Sequence, residues 1–265
     1  MQVSVLGCGW LGLPLAKALV QLGHTVKGTT TTPDKLHDLK AVGISPYLLN
    51  LDNASAEGIQ AFLQGSEVLI INIPPKLKTA TVTYPDKMQL LLPHIKNSGI
   101  ASVLFVSSTS VYADAFSFPE ITEDTPPNSD AENGRQLLQA EQTLQNSPDF
   151  KTTIIRPAGL IGNGRHPINQ LAGREGIAHP NAPINLISQA DVLQVMLAVL
   201  AKNTWNEVFN IANPQHPARE AYYTAKAEDA GLALPQFNHA AQSIGKIING
   251  DKAEKVLGVR FSEGI

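Results

Sequence analysis

The residues of this chain that could do chemistry fall into two groups. The first is Gly7-Cys8-Gly9-Trp10-Leu11-Gly12, a GxGxxG spacing set between a short apolar run and a longer amphipathic one. In that context Gly7 permits a tight turn, Gly9 lets backbone approach a pyrophosphate, and Gly12 lets the following helix pack closely on the strand. The phosphates of a dinucleotide would then meet unpaired N–H groups at the positive end of the helix dipole. The bland alternative, glycines that serve only a strand-to-helix turn, carries less weight in this position. Cys8 reads as a small residue between glycines, with no redox role.

Sites that prefer NAD present an acidic residue about 20 positions past the loop, to hold the ribose 2′-hydroxyl. Here His24-Thr25-Val26-Lys27-Gly28 runs into Thr29-Thr30-Thr31-Thr32 with no carboxylate before Asp34. Thr29 and Thr30, with Lys27 or Lys35 nearby, are expected to accept a 2′-phosphate, which favours NADP slightly over NAD; a plain polar loop is the equal alternative. Asp52 is expected to meet the adenine, and Asn72-Ile73-Pro74 to pass the pyrophosphate and nicotinamide ribose, against the alternative of strand-end caps. The second group is the hydroxyl-rich run Ser107-Ser108-Thr109-Ser110-Val111-Tyr112. Tyr84 with Lys87 forms a weaker candidate pair. Arg165 and Arg174 could clamp an anionic substrate bidentately, the alternative being solvated loop arginines. His166 and His179 read as surface residues.

The apolar pattern supplies the elements that must position these residues. Val/Ile/Leu-rich runs at Gln2–Leu6, 25–27, 46–49, 67–72, Ser102–Val106 and 151–156 read as strands. Amphipathic runs at 11–22, 33–42, 54–64, 84–97 and Glu132–Gln145 read as helices. Strands apolar on both faces that alternate with helices force right-handed crossovers into a parallel sheet. The expected fold is α/β: a Rossmann-type doubly wound parallel sheet with helices on both faces. After Pro157 the rhythm loosens into a stretch rich in Gly, Asn and Pro, followed by a helix at 189–202, a strand at 207–211, and helical stretches near 219–231 and Asp251–Leu257. This predicts a dinucleotide-binding domain over 1–160. The remainder, 161–265, is expected to complete the sheet in part, over about 185–212, and otherwise to form a small C-terminal substrate lobe.

Composition narrows the function classes. The 265 residues are 43% hydrophobic and 16% charged, which excludes disorder, collagen and coiled coil. A net charge of −3 offers no general attraction to nucleic acid or anionic membranes. The single cysteine forms no internal disulfide, and no Cys/His cluster has zinc spacing, so no metal is expected. The N-terminal apolar stretch lacks a basic region and is broken by Gly7, Gly9, Gly12 and Pro14, unlike a secretion signal. No apolar run reaches the roughly 18 to 20 residues of a membrane span. A cytoplasmic protein is expected.

With this second group the sequence resembles, along nearly its whole length, the extended short-chain dehydrogenase/reductases of the NAD-dependent epimerase/dehydratase type. Their fifth strand ends in a similar Ser-Ser-x-x-Val-Tyr, followed by a Glu/Pro-rich loop like Glu123-Asp124-Thr125-Pro126-Pro127 here. Arg156-Pro157 with Gly162-Asn163-Gly164-Arg165 is similar to the family's RPxxxYGPGR, and Phe209-Asn210-Ile211 to its late VYNV strand. The resemblance implies that Ser107 and Pro157 border the cofactor and that Ser108 and Thr109 border the substrate, with Ser108 orienting a carbonyl or alcohol. It also implies a monomer or a homodimer packed through the fourth and fifth crossover helices. One departure outweighs the matches. The family's Tyr-x-x-x-Lys pair does its acid/base work, the lysine lowering the tyrosine pKa while hydride moves at the cofactor. Counting back from Glu141, which matches the glutamate after that lysine, puts Asn133 and Leu137 at those positions. Neither can do that chemistry. The chain is similar to an atypical extended branch, the YeeZ-like subgroup, and Tyr112 is the candidate replacement, though the family's own tyrosine there is structural.

Two functions follow as expectations. One is an NAD(P)-dependent oxidoreductase, epimerase or dehydratase acting on a sugar nucleotide or similar small polar molecule. The other is a non-catalytic NAD(P)-binding redox sensor or interaction module, motivated by loss of the pair. A third possibility, a β-hydroxyacid dehydrogenase, rests on GCGWLGLPLA over residues 7–16 and is opposed by the late strand EVFNI and by SSTSVY.

Overall fold

The computed structural model describes residues 1–75, 81–262 and 264–265. In chain order the first part comprises β1 (Gln2–Leu6), α1 (Gly12–Gln21), β2 (Thr25–Thr30), α2 (Lys35–Ala41), β3 (Ser45–Leu48), α3 (Ala56–Leu63), β4 (Val68–Ile71), α4 (Tyr84–Ser98), β5 (Ser102–Val106), β6 (Glu120–Ile121), α5 (Glu132–Gln145) and β7 (Lys151–Pro157). The second comprises β8 (Gly159–Ile161), α6 (Ile168–Leu171), β9 (Leu186–Ser188), α7 (Gln189–Ala201), β10 (Val208–Ile211), α8 (Arg219–Asp229), β11 (Ile247–Ile248) and α9 (Asp251–Leu257).

Seven strands form one parallel sheet in the order β10-β7-β5-β4-β1-β2-β3. The chain builds outward from β1 through β2 to β3, then returns to β4 on the other side of β1 and proceeds to β10. Strand order therefore reverses between β1 and β4, and a crevice opens beyond their C-terminal ends, where Gly7 and Asn72 lie. Every residue of β4 (VLII) is buried, as are the first four of β5, because helices cover both faces and leave no solvent side to alternate with. The doubly wound α/β fold expected from the sequence is the one observed.

β2 runs three residues past the expected end at Lys27, with Thr29 and Thr30 in register with Tyr47 and Leu48 of β3. β-branched threonines suit a pleated, half-buried surface. Their hydroxyls are therefore strand side chains rather than loop groups. α4 is fixed at its start by Thr83, whose hydroxyl accepts from the Asp86 amide, and by a proline in its first turn.

Beyond the sheet, β8 pairs with β9 and β6 with β11, pieces of two or three residues too short for periodicity to reveal. Ile161, Ile168, Leu171, Ile177, Ile184, Leu186, Tyr222, Tyr223 and Ala227 form a second, smaller apolar core. α7 and α9 bury their apolar faces in the main core. Within the 185–212 stretch, β10 joins the sheet edge and β9 does not.

Candidate functional site

The crevice at the switch point is built first from backbone. Gly7 has φ +103°, and a Cβ there would stand 2.5 Å from the Asn72 carbonyl oxygen. At Gly12 a Cβ would meet the Gly7 carbonyl oxygen at 2.0 Å, so α1 can approach β1 only with glycine here. Gly9 is different: it is exposed, and no atom lies within 4 Å of where its Cβ would be. The turn is held by the Cys8 backbone amide donating to the Thr29 carbonyl (2.9 Å), the Gly7 backbone amide to the Thr29 hydroxyl (2.8 Å) and the Asn72 side-chain amide to the Gly7 carbonyl (3.2 Å). Burial pushes the Cys8 thiol up to about 12, which leaves it protonated and without nucleophilic character.

Two cavities meet at Gly9, Asn72, Ile73 and Pro74. The smaller, about 240 Å³, is lined by the loop, by Thr29 to Thr32, Lys35, Leu49, Leu51, Asp52 and Lys87. Here the structure corrects two expectations. The Thr29 hydroxyl is buried and accepts from the Gly7 amide (2.8 Å), and the Thr30 hydroxyl turns back on Thr32, accepting from its amide (3.1 Å) and donating to its carbonyl (3.4 Å), because both threonines sit inside β2. Lys27 points away, donating to the Ala61 and Gln64 carbonyls. Thr31, Thr32 and Lys35 are exposed at the rim instead. Asp52 does line the cavity, but its Oδ1 accepts from the Thr81 and Val82 amides (3.2 and 3.3 Å) and lies 3.0 Å from the Lys87 ammonium. Burial works against its charge, while Lys87 and those amides hold its carboxyl below the usual carboxylate range.

The larger cavity, about 920 Å³, carries Trp10, Leu11, Ser107, Ser108, Thr109, Asn133, Leu137, Pro157 and Arg165 on its walls. The structure thus brings together most of the residues expected from the motif and from the family resemblance. Ser108 is half-buried, with its hydroxyl accepting from the Ser110 amide (3.1 Å). Asn133 and Leu137 face this cleft from α5, and the Asn133 amide donates to the Ser110 hydroxyl (3.1 Å). Arg165 stacks over the Trp10 ring at 5.1 Å from its centroid. The Trp10 carbonyl accepts from Gln189 (2.6 Å), and its buried Nε1 finds no partner among the described residues.

Tyr112 and Arg174 are corrected. Tyr112 is 1% exposed and does not line the cleft; its hydroxyl meets Arg156 (2.5 Å) and Asn210 (3.1 Å). Burial raises its pKa against the pull of Arg156, so it stays a phenol. Arg156 is held by Glu141 through two bonds (3.0 and 2.5 Å), and Glu141 also accepts from the Ser107 hydroxyl (2.5 Å). This buried network commits Ser107 inward and leaves its backbone at the cleft. Arg174 is exposed and outside both cavities. Tyr84 is buried as well, donating to the Ile73 carbonyl (2.6 Å), and Lys87 lines the smaller cavity beside Asp52.

Sequence reasoning missed Arg219, Tyr223 and Lys246 and read His179 as a surface residue; all four line the larger cleft. Lys246 donates to the Tyr112 carbonyl (2.7 Å) and pairs with Asp114 (2.9 Å). The bridge between Ala115 and Gly245 and the pairing of β6 with β11 bring this lysine to the cleft, and no local pattern announces either. Among the described residues there is no cluster of three or more metal-ligating side chains, and no helix is long and apolar enough to cross a membrane.

The residues present fit a dinucleotide. Gly9 leaves an open backbone surface at the junction of two cavities, and an orphaned Trp10 N–H stands beside it. A family described as NAD(P)H-binding matches residues 7–203. Protein YeeZ of Escherichia coli strain K12 is 34% identical over 98% of this chain and 95% of its own. A conserved protein of Silicibacter pomeroyi DSS, whose structure is described as functionally unknown, is 26% identical, with a TM-score of 0.79 over 99% of this chain and 94% of its own. MoeE5, solved with UDP-glucose and NAD, superposes with a TM-score of 0.83 at 18% identity, over 100% of this chain and 95% of that one. The UDP-glucuronic acid 4-epimerase of Bacillus cereus, solved with NAD, gives 0.81 at 18% identity, over 100% and 92%. Those two likenesses bear on the fold. With the glycine loop at a topological switch point and a YeeZ relationship along nearly its whole length, this chain belongs to the NAD(P)H-binding family, on the short-chain dehydrogenase/reductase fold of the epimerase/dehydratase type.

Proposed function

We propose that this protein is an NAD(P)-dependent oxidoreductase, epimerase or dehydratase acting on a small, polar, anionic substrate, with a proton-handling set that does not use the family's Tyr-x-x-x-Lys pair. The observation that carries it is the larger cleft. It is continuous with the glycine loop, offers the Ser108 and Ser110 hydroxyls at the end of β5, and is lined by Arg165, Arg219 and Lys246 against a single carboxylate, Asp114. Such a cationic wall suits a phosphate or carboxylate. Sugar nucleotides are among the molecules that meet this description.

When bound, the nicotinamide would supply hydride transfer. Gly9, Trp10, Leu11, Asn72, Ile73 and Pro74 would hold the dinucleotide across the junction of the cavities. Ser108 would orient a substrate oxygen, with Thr109 and Ser110 beside it. Asn133 holds the Ser110 hydroxyl as acceptor, so the hydroxyl proton is available to the cleft. NADP is favoured over NAD through Lys35 with Thr31 and Thr32 at the exposed rim, in place of the buried Thr29 and Thr30 hydroxyls. We further propose a cytoplasmic protein that acts as a monomer or homodimer.

The second reading, a non-catalytic NAD(P)-binding sensor, is favoured by Leu137, an apolar side chain on the cleft wall where the family carries its lysine. Titration with NADPH and NADH, followed by a turnover screen on phosphorylated and carboxylated sugars, separates the two. Turnover reduced at least tenfold by Ser108→Ala, with cofactor affinity kept, supports the enzyme. Binding with no turnover across the panel supports the sensor.

A further inference from the structure

Lys87 is 5% exposed, and burying an ammonium costs several kcal/mol unless its protons are used. Asp52 is its sole partner among the described residues, at 3.0 Å. That contact goes to Asp52 Oδ1, which already accepts from the Thr81 and Val82 amides. No described residue donates to Oδ2. An ammonium carries three protons and a carboxylate oxygen has two lone pairs. The wall of the smaller cavity therefore presents a hydrogen-bond acceptor and a donor side by side, flanked by the apolar side chains of Leu49, Leu51 and Ile73.

Phosphate is a poor match for this pair, because the carboxylate cancels the field of the ammonium beside it. A planar heterocycle whose edge offers a donor next to an acceptor is a good one. Adenine has that edge: an exocyclic amine beside a ring nitrogen acceptor. Hypoxanthine inverts it, with a carbonyl oxygen where adenine has the amine and an N–H where adenine has N1.

We propose that Lys87 is a base-specificity residue that reads adenine jointly with Asp52, Lys87 donating to a ring nitrogen while Asp52 accepts from the exocyclic amine. This rests on the dinucleotide reading of the cleft. It adds a residue to that site and explains why a lysine is buried at the first turn of α4.

The test is calorimetric titration of the full chain with ADP and with IDP, which differ only at that edge. Wild type binds ADP about tenfold or more tighter than IDP, the difference expected from one satisfied and one clashing charged hydrogen bond. Lys87→Met weakens ADP by roughly tenfold and IDP less than about twofold, so the preference collapses, and Lys87→Arg, which keeps a donor, restores it. Asp52→Asn, whose amide can donate to a carbonyl, also erases the preference. Equal weakening of ADP and IDP by Lys87→Met would mean that the lysine acts through charge or fold, and overturns the proposal. Equal wild-type affinities for the two nucleotides overturn it without any variant. Should wild type bind neither ADP nor NAD(P)H, the dinucleotide reading itself fails, an outcome distinct from equal affinities. Thermal melts establish that each variant is folded, and if Lys87→Met is not, the wild-type ratio with Lys87→Arg and Asp52→Asn decides the matter.

Discussion

The two cavities on either side of Pro74 are made differently. The smaller one hangs chiefly on the backbone of its loop: a positive φ at Gly7, a close approach at Gly12, and the Cys8 and Gly7 amides held by Thr29, with the Asn72 side chain on the Gly7 carbonyl. The larger one hangs on side chains drawn from the ends of β5 and β7, from α5 and α8, and from loops around 165, 179 and 246. A site built on backbone tolerates little change in residue type, so its motif survives in the sequence. A site built on side chains can exchange every one of them on the same scaffold. That is how Asn133 and Leu137 come to occupy the cleft wall while the glycine loop is kept.

Breaking the backbone half gives the largest expected effect. Gly12→Val drives its side chain into the Gly7 carbonyl oxygen, which a Cβ already approaches to 2.0 Å, and should cost about 3 kcal/mol or more of stability in urea titration. Binding of NADPH and NADH should be lost together. Next comes the buried network behind the cleft. Glu141→Gln leaves Arg156 uncompensated and should cost about 3 kcal/mol, whereas Tyr112→Phe removes one hydroxyl and should cost about 1 kcal/mol. If Tyr112→Phe instead abolishes turnover without loss of stability, the division between framework and cleft is wrong.

A smaller effect separates the role of Thr29 in the loop from that of Lys35 at the rim. Thr29→Val orphans the Gly7 amide and should cost about 1 to 2 kcal/mol while weakening NADH and NADPH alike. Lys35→Ala should weaken NADPH alone, since only that cofactor carries a 2′-phosphate; binding isotherms for both decide it. The smallest effect is one of pH. Burial, aided by Lys226, lowers the His166 pKa, and burial lowers that of His216 against the pull of the Ile184 carbonyl and Glu120. A lowered histidine pKa leaves the unfolded chain binding more protons. Lobe stability should therefore be full above about pH 6.5 and fall as pH drops below it, seen as faster amide exchange around Tyr222 before any change in β1.

The same contrast explains what could be read from sequence. Apolar runs such as VLII and SVLFV have no solvent face, so their burial dictated a parallel sheet and a switch point. The glycine spacing then located the loop. Asn133 and Leu137, counted back from Glu141, both reach the cleft because one helix, α5, carries all three residues and Arg156 holds Glu141 behind it. Thr29 was legible as a polar group near the loop but not as the acceptor for Gly7, because β2 extends over it. Tyr112 could not be told from a catalytic tyrosine until Arg156 and Asn210 were seen on its hydroxyl. Lys246 and Arg219 reach the cleft only through contacts between segments far apart in the chain, for which one-dimensional patterning has no signal.

The central claim is an intact dinucleotide site joined to a cleft with a replaced proton-handling set. Its most direct measurement is titration of the full chain with NADPH and NADH, following fluorescence of Trp10 against a Trp10→Phe control. The expected result is saturable binding of at least one dinucleotide at micromolar concentration, with a quench that disappears in Trp10→Phe while calorimetric binding persists. No binding of either nucleotide at millimolar concentration by a folded protein would contradict it.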